Sequence, residues 1–444
     1  MKEYVIFLAQ QHPTFRVAEL RALADLYKFE VDLSGHDEKS PFLIVRLEND
    51  DQASKLVSRG ILSRGIYELW GVGDTEEELH QDVKRRSSHL WEKYNQCTFK
   101  FDVLAYKGKR SNVEKIRLIE RFGYLDFHGA IRMKNPDQVF TILEHYTPPT
   151  EHDAAELPSK YYFGREVELS GRSRGVLEKY DLKKRKYIGT TTFEAELALV
   201  TCNLAHCVPG SIMYDPFVGT GSFLVAGAHY GCLTVGSDID GRLIKGKGNA
   251  NIKANFKQYG MPHLFMDVLT MDFTHNALRD DLVIDTIVCD PPYGIREGLK
   301  VLGAKNPERF EGKENIEIDG EKAYLKKDYI PTKKPYELDS LLYDLLEFAS
   351  RRLPIGGRLA FWMPTANDNF EPTIIPLHRN LELKHHLVQE FNKWSRRLLV
   401  YVNHGDGYNG EENRAVTMHQ EFRKMYFRSR RGEGTTLADQ EKEE

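Results

Sequence analysis

The residues best suited to chemistry in this sequence are Asp290-Pro291-Pro292-Tyr293, which directly follow the largely apolar run Val283–Cys289. A buried strand of that kind delivers the four residues to its own carboxyl end. The two prolines fix φ and remove two backbone donors, so their carbonyls are free to accept hydrogen bonds from a substrate N–H. An exocyclic amine on a purine or pyrimidine is a poor nucleophile because its lone pair is delocalised into the ring. Accepting both of its N–H bonds, at the Asp290 carboxylate and at a proline carbonyl, draws the nitrogen toward tetrahedral geometry and aims the lone pair at an electrophilic methyl. Tyr293 offers a ring on which a flat base can stack, which holds the in-line geometry where much of the barrier reduction arises. Asp290 is also placed to take the proton released on transfer, and this chemistry requires no metal. By itself the tetrapeptide is equally explained by a rigid turn after a strand, with Tyr293 simply packed.

A second constellation precedes it. Ser211–Tyr214 leads into Asp215-Pro216-Phe217-Val218-Gly219-Thr220-Gly221-Ser222: a strand ends, a glycine-containing turn follows, and a helix begins near Ser222. Gly219 and Gly221 permit a sharp turn and close approach of a ligand. The loop lacks the lysine of a phosphate loop and the third glycine of a dinucleotide fingerprint. Asp215 at the strand end repels phosphates and suits a positively charged ligand, such as the amino group of methionine. Asp238 lies 23 residues further on, after Val235-Gly236-Ser237, where a carboxylate at the end of the next strand can hold ribose hydroxyls. Asp240 reads as the cap of the following helix. Asp272, ending the third strand, is one candidate acceptor for an adenine amine; Asp267 is another, and a plain turn residue is a third reading. The expected cofactor set is therefore Asp215, Pro216, Phe217, Gly219, Thr220, Gly221, Asp238 and Asp272.

These residues need a scaffold that brings strand ends together. From residue 177 onward, helices alternate with buried strands at Ser211–Tyr214, Leu233–Ser237, Phe265–Met271, Thr286–Cys289 and Arg358–Met363, with a late strand at Leu398–Val402. Such alternation implies a doubly wound, mostly parallel α/β sheet covered on both faces, with ligands bound at the carboxyl edge. The domain expectation is one doubly wound sheet domain over 177–431 and a disordered polar tail over 432–444. The stretch Lys300–Lys334 is charged and too long for an ordinary connection. Residues 1–95 predict a β-α-β-α-β unit of ferredoxin-like α+β type. Residues 96–176 predict strands at Thr98–Tyr106, His128–Met133 and Arg165–Leu169, a helix over Asn112–Phe122, and a second helix opened by Pro136 and running to Tyr146, followed by a loop over Thr147–Lys160.

The 444 residues are 41% hydrophobic and 29% charged, an ordinary globular balance. No apolar run approaches the roughly 18 residues of a membrane span, and Tyr4–Ala9 reads as a first strand. The five cysteines show no paired framework, which fits a reducing compartment such as the cytoplasm; Cys202 and Cys207 read as buried packing. The formal net charge of -4 speaks weakly against nucleic acid, but distribution matters more than the sum. Arg172, Arg174, Lys179, Lys183, Lys184, Arg185 and Lys186 cluster between the two halves, interleaved with Tyr180 and Tyr187. The RNA-binding expectation falls on Arg172, Arg174, Lys183, Lys184, Arg185 and Lys186 as phosphate contacts; a solvated basic linker is the plainer reading. Lys107, Lys109, Arg110 and Lys115 extend that surface. Arg423, Lys424, Arg428, Arg430 and Arg431 are similarly basic, and an exposed helix end explains them equally well. Arg396 and Arg397 read as a surface strand edge, with substrate contact as the other reading.

Asp290–Tyr293 resembles the motif of the N6-adenine, N4-cytosine and N2-guanine methyltransferases. The loop Asp215–Ser222 is similar to that of the group joining a THUMP RNA-binding domain to a class I (Rossmann-like) methyltransferase. With Lys186–Ala198, Gly236–Arg242 and the run from Asp290 through Glu297, most of the chain resembles the eukaryotic tRNA guanine-10 N2-methyltransferases. The resemblance implies S-adenosylmethionine as cofactor, a THUMP-like domain over 96–176, guanine 10 of tRNA as substrate, and a small zinc-binding activator subunit as partner, whose zinc would belong to that partner. Competing expectations are methylation of another nucleic-acid base or of a protein glutamine, and a non-catalytic RNA-binding subunit.

Overall fold

The computed structural model describes residues 1–147, 157–294, 299–303, 308, 316–326, 332–367 and 370–413. The basic group Arg423–Arg431, the tail from Gly432, Glu297 and the middle of the expected 147–160 loop lie outside the described residues. The chain divides into two compact units, Met1–Lys179 and Tyr180–Glu444.

The first unit is built on one six-stranded sheet. Its strands are β1 (Lys2–Leu8), β2 (Phe42–Leu47), β3 (Ser63–Gly73), β4 (Phe99–Tyr106), β5 (Gln138–His145) and β6 (Lys160–Leu169), in the order β2-β1-β3-β6-β5-β4. The expected boundary between residues 95 and 96 falls inside this sheet, because β3 pairs antiparallel with β6 from Gly65↔Leu169 to Gly73↔Tyr161. The helix predicted to follow Pro136 is instead strand β5. Asn135 takes a left-handed turn (φ 49°), and Phe140, Thr141, Ile142 and Leu143 are all fully buried between β4 and β6. Residues that are β-branched or aromatic and buried on both faces favour a central strand, and tertiary pairing overrides the local helix-start signal. The strand predicted over His128–Met133 is reduced to one bridge, Phe99↔Ile131, with Ile131 and Met133 exposed.

The second unit carries the alternating pattern. Strands β7 (Ile212–Asp215), β8 (Leu233–Asp238), β9 (Phe265–Thr270) and β10 (Thr286–Cys289) come first. Two short antiparallel pairs follow, β11 (Lys300–Leu302) with β14 (Lys333–Pro335) and β12 (Glu317–Ile318) with β13 (Glu321–Lys322); then come β15 (Arg358–Ala366), β16 (Leu381–Glu390) and β17 (Trp394–Asn403). The main sheet has the order β16-β17-β15-β10-β7-β8-β9. It is parallel from β9 to β15 and antiparallel where β17 enters. Side chains alternate across the sheet with the period of two that strands impose. Leu359, Phe361 and Met363 pack with the helix Leu338–Arg352, while Trp362 between them donates to Thr201 on the helix Ala195–Leu204 at 3.1 Å. Both faces are therefore covered, and strand ends are the natural place for a ligand. Among the described residues, no helix is long and apolar enough to cross a membrane.

Candidate active site

The chain leaves β7 at Asp215 and turns sharply into the helix Ser222–His229. Gly219 (φ 49°) and Gly221 (φ 82°) take left-handed conformations in that turn, and Gly221 caps the helix. A Cβ on Gly221 would stand 2.9 Å from Ile252 Cγ2, so close packing as well as φ requires glycine there. The turn is tied to the end of β8 twice: Val218 N–H donates to the Ser237 carbonyl at 2.9 Å, and Asp238 Oδ2 accepts from Gly219 N–H at 2.9 Å. Asp238 Oδ1 accepts from Asp240 N–H at 2.8 Å, and Asp240 caps the next helix as expected.

β10 lies beside β7, and its Asp290-Pro291-Pro292-Tyr293 extension opens into the same cavity as the turn. This cavity is about 810 Å³ and is lined by Asp215, Pro216, Phe217, Gly219, Thr220, Asp238, Asp272, Asp290, Pro291, Pro292 and Tyr293. Gly221 shapes the turn without lining the space. Tyr293 Oη donates to Asp290 Oδ1, which couples ring and carboxylate at the cavity wall. Asp272 also reaches the cavity, with Oδ1 accepting from Thr274 N–H at 3.0 Å and Oδ2 from Leu302 N–H at 2.7 Å. It therefore caps a turn and anchors the base of the 300–334 stretch as well. Asp267 is exposed on β9 and does not line the cavity.

Electrostatically the cavity calls for a cation. Asp215 is 1% exposed and accepts from Phe217 N–H at 3.0 Å; burial, followed by the neighbouring Asp238 and Asp290 charges, holds its carboxyl well above the usual range. Burial also raises Asp238. Asp290 is pushed up to about 6 by burial, against the opposing pull of Tyr293 and the Arg396 guanidinium. Three crowded carboxyls in a desolvated space are relieved by a positively charged ligand.

Of the remaining wall residues, the sequence reading raises only Arg396, as a substrate contact. Thr190–Glu194 line the cavity ahead of the helix Ala195–Leu204, and Gln389, Phe391, Trp394 and Arg396 reach it from the β16–β17 hairpin. The surface-edge reading of Arg396 and Arg397 fails. The Arg396 guanidinium lies over Phe193 (4.5 Å) and Trp362 (5.1 Å). Arg397 is 6% exposed and donates to Thr365 Oγ1 at 2.8 Å. Their apolar flanks, Phe391, Trp394 and Leu398, were the available signal.

The basic cluster is only partly a surface. Arg185 is 6% exposed and donates to Tyr259 Oη at 3.3 Å and Ser222 Oγ at 3.4 Å, so it is packed within the fold instead of facing RNA. Tyr180 and Tyr187 are buried beside it. Lys183, Lys184 and Lys186 remain exposed. In the first unit, Arg174 pairs with Glu168, Arg172 donates to the Ile61 carbonyl at 2.7 Å, and Arg110 turns inward to the buried Glu144 at 2.7 Å.

A parallel sheet continued by an antiparallel strand, a glycine turn after its first strand, an acid ending its second and Asp-Pro-Pro-Tyr after its fourth define a class I methyltransferase of the amine-methylating kind. Residues 2–172 match the family described as the Tmrp11 THUMP N-terminal domain, and residues 183–304 that described as the RMKL-like methyltransferase domain. The chain is 61% identical over 432 residues to the tRNA (guanine(10)-N(2))-methyltransferase of Saccharomyces cerevisiae, covering 96% of this chain and 99% of that protein. It is 34% identical to the protein of the same name from Schizosaccharomyces pombe, with 97% of each covered. Among solved structures, TrmN from Thermus thermophilus aligns with 90% of this chain and 99% of its own, at 17% identity and a TM-score of 0.41. The chain belongs to the tRNA (guanine(10)-N(2))-methyltransferase family.

Proposed function

We propose that this chain transfers a methyl group from S-adenosylmethionine to the N2 amine of guanine 10 in tRNA, using Asp290, Pro291, Pro292 and Tyr293 as its catalytic group. The observation that carries the reading is the single cavity into which both the Asp290–Tyr293 turn and the Asp215–Asp238 carboxylates open. The residues present fit the cofactor: the buried Asp215 suits an ammonium group, Asp238 at the end of β8 suits ribose hydroxyls, and the Gly219–Gly221 turn leaves room for close approach. Asp272 is the cavity-lining candidate for the adenine amine. When bound, the cofactor supplies an electrophilic methyl on a sulfonium.

The remaining work falls to this chain. The Tyr293 hydroxyl occupies Asp290 Oδ1, which leaves Oδ2 and a proline carbonyl to accept the two N–H bonds of the amine. Asp290 then receives the proton released as the C–N bond forms. A base within a helix cannot reach this edge, so the guanine must be flipped out of its stack. Exposed Lys183, Lys184 and Lys186, together with the THUMP-type first unit, supply phosphate contacts that position the RNA without reading its sequence.

The reading extends to a small zinc-binding activator subunit as partner and to the cytoplasm as location; the five unpaired cysteines suit a reducing compartment. The test is transfer of labelled methyl to unmodified tRNA, with the chain alone and with the candidate activator, followed by nucleoside mass analysis and position mapping. N2-methylguanosine at position 10 is expected. Transfer to another base, or none despite bound cofactor, would withdraw the assignment, and equal activity with and without the activator would remove the partner.

A further inference from the structure

Glu194 is the residue before the helix Ala195–Leu204, at its N-cap position, yet its side chain makes no capping bond. Glutamate is not among the good capping residues, so helix chemistry does not account for it. Its carboxylate stands in the cavity wall instead, with the side chain 43% exposed. Two groups hold Glu194 Oε1: Arg396 Nη2 at 3.0 Å and Gln389 Nε2 at 3.3 Å. Those two groups are themselves locked together, since Gln389 Oε1 accepts from Arg396 Nε at 3.0 Å and from Nη2 at 2.6 Å. The guanidinium is further fixed over the rings of Phe193 and Trp362. At the hairpin turn, Phe391 and Trp394 stack with centroids 4.4 Å apart and planes 20° from parallel. The wall thus combines aromatic faces with a carboxylate whose orientation is set by a rigid cation. Arg396 is also near enough to the catalytic turn for its charge to act on both Asp290 and Tyr293.

We propose that Glu194 is a specificity-determining residue that accepts the N1–H of the target guanine, with Arg396 and Gln389 as its positioning residues and Phe391 and Trp394 as the aromatic wall beside the base. This rests on the reading of Asp290 as acceptor for the N2 amine. In guanine, the N1–H lies next to the N2 amine on the same edge, so a second carboxylate acceptor in the cavity that Asp290 lines completes recognition of an H–N–C–NH2 unit. Adenine offers an acceptor at N1 and no amine at C2, so it presents a lone pair to a carboxylate and is rejected. An ionised acceptor facing a lone pair is left unpaired, and that mismatch is worth more than a lost neutral hydrogen bond.

The test uses full-length enzyme and tRNA carrying either guanosine or 2,6-diaminopurine riboside at position 10. Both bases keep the 2-amine that is methylated, but diaminopurine has an acceptor at N1. Wild type is expected to favour guanosine in kcat/KM. Glu194→Gln, whose amide can donate to N1, is expected to shrink that preference roughly ten- to hundredfold. Comparing variant with wild type on the same RNA pair cancels what the RNA itself contributes. An unchanged preference, with both substrates slowed alike, overturns the proposal. If Glu194→Gln is inactive on both, Glu194→Asp decides: it keeps an acceptor and is expected to retain the guanosine preference, whereas loss of that preference, or of all transfer with cofactor still bound, also overturns it. Asp290→Ala is run alongside. Its retaining transfer would sink the amine-acceptor reading, whereas an unchanged preference in Glu194→Gln with Asp290→Ala inactive removes only the role of Glu194.

Discussion

One wall of the cavity is made of strand ends that follow one another along the chain: Asp215 ending β7, Asp238 ending β8, Asp272 after β9 and Asp290 after β10. The other is assembled from Thr190–Glu194 and from Gln389–Arg396, segments almost two hundred residues apart, joined by the Glu194–Arg396 pair. The first wall is a local device repeated four times, each acid placed by the end of its own strand, with Asp238 also tying the Gly219 turn. The second is a network in which no member is placed without the others. Substitutions in the first wall should therefore separate cleanly into cofactor and chemistry effects, while those in the second should act together.

The largest expected effect breaks the chemistry alone. Asp290→Ala should abolish detectable transfer, a loss of at least about a thousandfold, while cofactor affinity measured by calorimetry stays close to wild type. Equal loss of cofactor binding would mean the strand-end wall does not divide by role. Next comes Asp238→Ala, which removes the acceptor proposed for the ribose hydroxyls and also frees the Gly219 N–H. Cofactor affinity should fall by about 1.5–3 kcal/mol, with the single-turnover rate at saturating cofactor much less affected.

The pH profile sharpens the same division. Asp290 must be ionised to take up the proton released from the amine, so single-turnover rates should rise with pH through about 6 and then level off. The sign for folding is opposite. A carboxyl raised by burial stabilises the fold below the ordinary carboxylate range, and that contribution is lost as pH rises through about 6. Catalysis and stability should therefore move in opposite directions across that range, and Asp290→Asn should flatten the stability trend.

The smallest effects concern the basic segment, where neighbours in sequence have different fates. Arg185→Ala should lower thermal stability, at a cost of about 1–3 kcal/mol from buried hydrogen bonds, and leave the salt dependence of tRNA binding in place. Lys183→Ala should do the reverse, leaving stability unchanged and reducing the salt slope of binding by about 1. Identical behaviour of the two variants would remove the distinction.

The strand-end wall was legible because its signals are short in range. An apolar run ending in an acid, two glycines at a turn and two prolines after a strand each constrain the backbone where they stand, whatever surrounds them. The same local logic failed at β5, where a proline suited to starting a helix was overruled by burial between two strands. It failed again at Arg185, because a basic run carries no mark of which member points inward.

The doubly wound sheet and the order of its Asp- and Gly-bearing turns could be read along the chain, since periodicity and turn chemistry are properties of contiguous residues. The pairing of β3 with β6 that joins the first 179 residues into one unit, the inward packing of Arg396 and Arg397, and the meeting of Glu194 with Arg396 at the cavity came from long-range packing. Those outcomes depend on which distant segments share a desolvated space, and burial of that kind has no local signature in the chain.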